Sequence, residues 1–537
     1  MTPPGHRQDY GVVLDWLGRA KTGGVYRVSR RTVDFVSWAE VSEDVDKVVA
    51  HLSGCGIVPG SRVGIRGENS YPWLVLDLAL LHIGAVPVAF PVPDFAGRAN
   101  AGLFEQYGLA AMFDGTTSTP TGDKDVVALE SLLDLPPLRP RANPSTPQGT
   151  RLPVSDASYF TLAFSSGTAG RVKCLLMVCA GVQKLIETTS DRYQIVSADR
   201  IMIALPLSTF QQRFLCYLAI RDACSIVLTT ANQYLRALRA GRPTVLLGPP
   251  NFYEFACVRF ANDPRPRRVA RLAATALAAV LPGHRMRARW RRRIFRPYHD
   301  MFGGNVRLML VGSAPVRRET LMFFARAGFD LYQIYGMTES GYLTWNGPGA
   351  NRIGSVGRET YPGTIKVAAD GEVTVAHPWH ICCGYEGEGG VSVTEVFRGD
   401  NVIATGDLGY IVDGFLYLQG RKKNVIVTAG GLKVSAEELE GELAGASGVN
   451  RVALIDAPDG RGLGVVAWYR GDEAAVRDEL RLRVRKVARR LGVGSDIRHL
   501  ALIEGELGQD SPLLNRNLKL DRAAVRAATI DRLEPIN

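Results

Sequence analysis

Residues 73–92, WLVLDLALLHIGAVPVAFPV, are apolar almost throughout, with Asp77, His82, Gly84 and Pro87 as the interruptions. A charge and two backbone breakers in so short a run exclude a membrane span. The pattern predicts instead a buried helix, WLVLDLALLHIGA, running into a strand, VPVAF. The same helix-then-strand order recurs: VSEDVDKVVAHLSGCG precedes RVGIRG, and RETLMFFARAGF precedes DLYQIYG. Such alternation predicts α/β sheets flanked by helices. Residues 135–153 are rich in Pro, Ser and Thr and read as an exposed connector. From about residue 365 the pattern changes to short strands, TIKVAA and EVTVAHP, around an Asp370-Gly371 hairpin signal. After GRKK at 420–423 a smaller α/β unit follows, with strands NVIVT, RVALIDA and GVVAWYR and a basic helix near 475–491. The expected fold is α/β: a large N-terminal domain of αβ-layered subdomains with a β-rich subdomain, then a small mobile C-terminal α/β domain. No internal repeat or low-complexity tract interrupts it.

Composition narrows the class. The 537 residues are 46% hydrophobic and 22% charged, ordinary for a globular chain. The formal net charge is +11, and residues 265–296 alone hold eleven arginines and no acid. Outside that block the chain is near neutral, so no nucleic-acid partner is expected. The block reads as LAATALAAVL, a helix, followed by HRMRARWRRRIFR, with Trp and Phe between the arginines. Three readings stand: a solvated basic helix, docking on an anionic membrane surface, or attraction of a phosphorylated substrate. The eight cysteines have no CxxC spacing, and none stands at zinc-ligand spacing from a histidine. With a polar first thirty residues, this predicts a reduced, cytoplasmic chain.

The chemistry begins at FSSGTAGRVK, residues 164–173. A Walker loop needs GxxxxGK followed by Ser or Thr, whereas here Gly167, Gly170 and Lys173 give G-x-x-G-x-x-K with Cys174 next. The residue types still suit a polyphosphate: glycines admit close backbone approach, hydroxyls donate, and a lysine adds charge. A flexible loop joining the strand YFTLAF to the next element reads equally well from these ten residues alone. YGMTES (335–340), placed just after a strand LYQI, then ATGDLGY (404–410), GRKKNVIVTAGGLKVSAEELE (420–440) and NLKLDR (517–522) follow in order. GSAP (312–315) and IGSVGR (353–358) stand among them.

In this order and spacing the set resembles the adenylate-forming superfamily of acyl-CoA synthetases, adenylation domains and luciferases, from about residue 30 to 525. LMLVGSAP, LPLSTFQQR (205–213) and NLKLDR look most like its long-chain acyl-CoA synthetase branch. The resemblance implies an ATP-dependent carboxylic acid ligase: the acid attacks the α-phosphate, pyrophosphate leaves, and an acceptor displaces AMP. It implies ATP and Mg²⁺, with CoA as co-substrate. Ser165, Ser166, Gly167, Thr168, Gly170 and Lys173 would cradle the leaving pyrophosphate. Glu339 would ligate Mg²⁺, Thr338 would contact the α-phosphate, and Tyr335, beside Gly336, would stack on adenine above a floor of Gly312, Ser313 and Ala314. Asp407, with Arg421 nearby, would hold the ribose hydroxyls. Lys519 would bridge α-phosphate and carboxylate. Domains of 1–419 and 424–537 would turn about a hinge at 420–423, with Lys423 in it, bringing Gly430 and Gly431 to the acceptor path. Phe210, Phe214, Met337 and Tyr342 read as acyl-pocket lining or as core.

The match departs from the family in places. Val172-Lys173-Cys174 replaces Pro-Lys-Gly, Lys423-Asn424 replaces Lys-Asp, and Thr209 stands where many CoA-forming relatives carry histidine or an aromatic. Thr209 leaves the acceptor open between CoA, an amine, as in amide synthetases of secondary metabolism, and a carrier-protein thiol. Each residue also has a plainer reading: Glu339 as a helix-start carboxylate, Asp407 as a turn residue, Lys519 as solvated surface. A catalytically silent adenylate-binding protein is the alternative outside the enzyme class.

Overall fold

The computed structural model describes residues 12–95, 97–116, 125–136, 138–139, 141, 159–166, 172–280, 284–386, 393–399, 401–427, 433–443, 446, 448–457, 462–491, 497–508, 511–514 and 520–536. Most of the expected 135–153 connector lies outside them. The chain divides into two compact units, residues 1–364 with 376–403, and residues 365–375 with 404–537.

The apolar run resolves as expected. The helix Tyr71–Ile83 starts at Ser70, whose hydroxyl caps the Trp73 amide, and ends at Gly84 in the left-handed region (φ 75°). Ten of its residues are buried, which is why it is apolar on every side. Asp77 is the exception that the sequence left unexplained. It is fully buried, and Arg213 Nη2 at 2.5 Å and Tyr217 Oη at 2.6 Å donate to its two oxygens. The strand Val86–Phe90 follows directly and is buried along its whole length.

The first unit holds two large sheets. In one, Val86–Phe90 lies between Arg62–Arg66 and Tyr159–Ser166, all parallel. Tyr159–Ser166 then pairs antiparallel with Val172–Val178, and Cys382–Glu386 closes that edge. In the other, Ser225–Leu228, Arg200–Ile203, Val245–Gly248, Leu308–Val311 and Leu331–Met337 run parallel side by side. An antiparallel Gly341–Trp345 follows. The main core packs helices such as Tyr71–Ile83 and Phe210–Arg221 with residues of both sheets. A second core, rich in Phe and Tyr, gathers Tyr253, Phe295, Tyr298, Phe302 and Phe324. Parallel strands buried on both faces read as apolar runs, which is what the sequence shows there.

In the second unit, Ile365–Val367 and Glu372–Ala376 form the expected hairpin, with Gly371 at φ 88° in its turn. They continue into Val402–Val412 and Phe415–Arg421 in one four-stranded sheet. The C-terminal part carries the strands Val425–Val427, Val449–Asp456 and Leu463–Tyr469 and the helix Glu473–Leu491, close to the ranges read from sequence.

Candidate functional site

The described ends of the FSSGTAGRVK stretch, Phe164–Ser166 and Val172–Lys173, lie on paired antiparallel strands. Ser165 stands opposite Lys173 and Ser166 opposite Val172. Gly167, Thr168 and Gly170 lie outside the described residues. Lys173 is held in a half-buried position. Its ammonium reaches the phenol oxygen of Tyr385 at 3.3 Å and Glu339 Oε1 at 3.9 Å, and lies 4.8 Å from the centre of the Tyr385 ring. Tyr385 in turn donates to Glu339 Oε1 at 2.6 Å. Burial, and then the adjoining Glu339 carboxylate, push the Tyr385 phenol far above its usual range, so it stays a donor.

Two of the expected residues, Lys173 and Glu339, are thus brought together across the sequence, and a third group is added that the sequence did not reveal. Tyr385 has no motif around it. Its place is fixed by strand register, Tyr385 opposite Leu175 on the strand that carries Lys173.

Glu339 is not at the start of a helix. The strand that sequence patterning ended at LYQI continues through Tyr335, Gly336 and Met337, and Thr338–Ser340 turn the chain into Gly341–Trp345. Pairing with that second strand extends the first: Ile334 faces Trp345 and Met337 faces Gly341, with a register shift at Tyr335/Gly336. Gly336 is required there, since a Cβ would sit 2.3 Å from the Gly341 carbonyl oxygen.

The turn is clamped from both sides. The Cys382 amide donates to the Glu339 carbonyl at 3.1 Å. Ser340 Oγ contacts His377 Nε2 at 3.2 Å and His380 Nδ1 at 2.8 Å. The Trp379 amide donates to His377 Nδ1, and His380 Nε2 meets the Asn401 carbonyl at 2.6 Å. These partners assign a chain of donors from His377 Nε2–H through the Ser340 hydroxyl to His380, whose Nε2–H goes to Asn401. Burial pushes His377 down to about 3 and lowers His380 as well, so both rings are neutral.

Gly312 follows the strand Leu308–Val311, and Ser313 beside it takes a left-handed φ of 66°, turning the chain before Ala314. Tyr335 is buried, and Thr338 is half-buried. Thr209 is the exposed residue before the helix Phe210–Arg221, and its side chain makes no cap. Phe210, Phe214 and Tyr342 belong to the main core; Phe214 meets the edge of Tyr342, whose hydroxyl accepts from Gln211 at 3.1 Å. Met337 is half-buried.

In the second unit Asp407 is a strand residue, not a turn residue. It pairs in register with Arg421, whose Nε donates to Asp407 Oδ1 at 2.7 Å. Lys422 is held by Asp370 at 2.7 Å and Glu372 at 3.0 Å, and Lys423 is exposed in a short 3₁₀ turn. Gly430, Gly431 and Lys519 lie outside the described residues.

The described residues contain no group of three or more His, Cys, Asp or Glu able to hold a metal by themselves. Mg²⁺ that arrives with a triphosphate needs only one or two carboxylates. The buried Glu339 carboxylate, with its Oε1 occupied by Tyr385 and Lys173, fits that demand. No described helix is long and apolar enough to cross a membrane.

With two layered sheets and a carboxylate turn beside the Lys173 strand, the chain is an adenylate-forming enzyme of the acyl-CoA synthetase type. The chain belongs to the AMP-binding enzyme family, whose profile matches residues 21–393. It is 28% identical over 455 residues to the long-chain-fatty-acid–CoA ligase FadD15 of Mycobacterium bovis, covering 78% of this chain and 75% of that one. It is 26% identical over 451 residues to a feruloyl-CoA synthase of Amycolatopsis, covering 79% and 81%. ATP-bound MatB from Rhodopseudomonas palustris shares the fold, with a TM-score of 0.70 at 21% identity over 98% of this chain and 99% of that one.

Proposed function

We propose that the chain activates a carboxylic acid with ATP and transfers the acyl group to CoA. The observation that carries this reading is the Lys173–Tyr385–Glu339 cluster at the mouth of the hairpin. A carboxylate and a triphosphate repel each other, and cations fixed beside the spreading phosphoryl charge offset that repulsion. Lys173 supplies one such charge, and Tyr385 fixes the Glu339 carboxylate by occupying one oxygen. Glu339 would hold Mg²⁺, which when bound neutralises phosphate charge. Ser165 and Ser166, with Gly167, Thr168 and Gly170, take the leaving pyrophosphate. Thr338 meets the α-phosphate, Tyr335 and the Gly312–Ala314 turn hold adenine, and Asp407 with Arg421 takes the ribose. Lys519 serves the first half-reaction, and residues 420–423 are the hinge between domains 1–419 and 424–537. Two relatives, a long-chain-fatty-acid–CoA ligase and a feruloyl-CoA synthase, support CoA as the acceptor.

Thr209 favours a second reading, an amine as acceptor: it is exposed at the start of its helix with no ring to close the path. Incubation with ATP, mixed acids and either CoA or amines, followed by mass spectrometry, separates the two. Absence of ATP–pyrophosphate exchange with every acid would leave a silent adenylate-binding protein.

The arginine segment supports peripheral docking on an anionic membrane. Its helices Arg265–Ala279 and His284–Ile294 expose large apolar side chains among the arginines, Leu277 at 70% and Trp290 at 49%. Sedimentation with anionic vesicles at two salt concentrations tests this, since screening should weaken it.

A further inference from the structure

Beneath the helix His284–Ile294 lies a recess of about 400 Å³ that the adenylation residues do not line. Its walls are Arg287 and Arg291 of that helix, Leu321 of the helix Arg318–Ala327, Phe329 and Asp330 before the next strand, Gln333 on it, and Asn351 and Ile353 beyond. Arg287 and Arg291 are four residues apart and share one helix face. Neither has an ion pair or side-chain hydrogen bond among the described residues, and the same holds for the side chains of Asp330, Gln333 and Asn351. Two atoms are buried outright without a partner: Arg291 Nε, a donor, and Gln333 Oε1, an acceptor. Buried polar atoms are rarely left so, because each forfeits its hydration. Gly328 (φ 77°) allows the close approach of the two helices here, since a Cβ on it would lie 3.1 Å from the Arg291 Cβ.

We infer that this recess binds a phosphate ester of a small polyol. The two guanidinium groups offer the fork geometry that phosphate oxygens match. The Asp330 carboxylate opposes a second anionic group, which favours a single phosphate. Gln333 Oε1, Asp330 and Asn351 require donors, and hydroxyls on the ester's carbon skeleton supply them. Leu321, Phe329 and Ile353 give that skeleton an apolar floor. The volume suits a small molecule. The same chemistry occurs in a free polyol phosphate and in a glycerol-based lipid headgroup. Gln333 lies on Leu331–Met337, the strand that ends at the Thr338–Ser340 turn, so the ligand would sit at the far end of a strand the adenylation site uses.

Calorimetric titration of the full chain with glycerol 3-phosphate is one arm of the test. Sedimentation with phosphatidylcholine vesicles, with and without phosphatidylglycerol, is the other. Saturable binding in either arm is expected, weakened on the order of tenfold by Arg291→Gln, as for a lost charge-assisted hydrogen bond. Gln333→Leu, which alters no charge, should weaken binding in either arm, while Arg289→Gln, off the recess but within the arginine-rich surface, should leave glycerol 3-phosphate binding unchanged. Binding of glycerol 3-phosphate identifies a free ester as the source; binding only to phosphatidylglycerol vesicles, weakened by Gln333→Leu, identifies the headgroup. No binding in either arm, equal loss of glycerol 3-phosphate binding in Arg289→Gln and Arg291→Gln, or vesicle binding unchanged in Gln333→Leu, overturns the site. ATP–pyrophosphate exchange and melting temperature, unchanged in all three variants, confirm that each is folded.

Discussion

Tyr385 donates its phenolic hydrogen to Glu339 across 46 residues of chain, at 2.6 Å, and accepts from Lys173 at the same oxygen. The hydroxyl ties a cation and a carboxylate into one unit while leaving the second carboxylate oxygen for another ligand.

Tyr385→Phe should therefore keep the fold and weaken adenylation. Loss of a hydrogen bond to a charged group costs about 1.5–3 kcal/mol, or roughly 10- to 150-fold in rate. The apparent Mg²⁺ requirement should rise with it. Glu339→Gln should be worse, and Tyr385→Phe on top of Glu339→Gln should add little, because the two act together. ATP–pyrophosphate exchange across a Mg²⁺ titration measures all three; full additivity would separate the residues.

Lys519→Ala should fail in ATP–pyrophosphate exchange. An ammonium between a carboxylate and an α-phosphate stabilises charge as it develops, worth roughly 10²–10³-fold in rate. It has no comparable task when a neutral nucleophile attacks a preformed acyl-adenylate. Given synthetic acyl-AMP and acceptor, the variant should turn over near the wild-type rate. Normal exchange would show that another residue does this work.

Asp77→Ala should destabilise the first unit by about 3–5 kcal/mol, because it strands the Arg213 guanidinium in the core. Arg213 is itself fully buried, and its Nη1 also donates to Thr161 at 2.9 Å. Asp77→Leu with Arg213→Met should recover much of the loss. Chemical denaturation of both variants checks this; equal destabilisation by the double variant would contradict it.

His299 stacks on Phe329 at 3.8 Å, and its Nε2 meets the Ala327 carbonyl at 2.9 Å. Burial lowers it from 6.5 to about 4, against the smaller opposing effect of that hydrogen bond. The neutral ring is favoured in the fold, so between those values the unfolded chain binds more protons. Its contribution to stability is complete above pH 6.5 and is lost as pH falls toward about 4. His299→Gln should flatten that slope in urea titrations between these pH values; an unchanged slope would assign the acid sensitivity elsewhere.

Local patterning made much of this legible. The helix and strand within residues 73–92, the Asp370-Gly371 hairpin and the basic C-terminal helix each announce themselves through a few neighbouring residues. The motif order identified the family. What stayed hidden depends on pairing between distant segments. Nothing near Tyr385 marks it, because its position follows from register against residues 174–177. A helix start stayed open as the plainer reading of Glu339 because the strand after the Thr338–Ser340 turn, Gly341–Trp345, has no charged alternation to reveal it; all five residues are buried. Phe210, Phe214 and Tyr342 pack in the main core, and sequence could not tell core from pocket because both demand the same apolar residues.

The strand Cys382–Glu386 lies at the edge of a sheet whose neighbouring strand, Val172–Val178, was made some two hundred residues earlier. During synthesis the Lys173 strand therefore waits with its hydrogen-bonding edge open until residue 386 has left the ribosome. An open edge invites pairing with other chains. Nascent chains stalled before that point would carry the Lys173 strand without the tyrosine that meets its ammonium, and with that edge still unpaired.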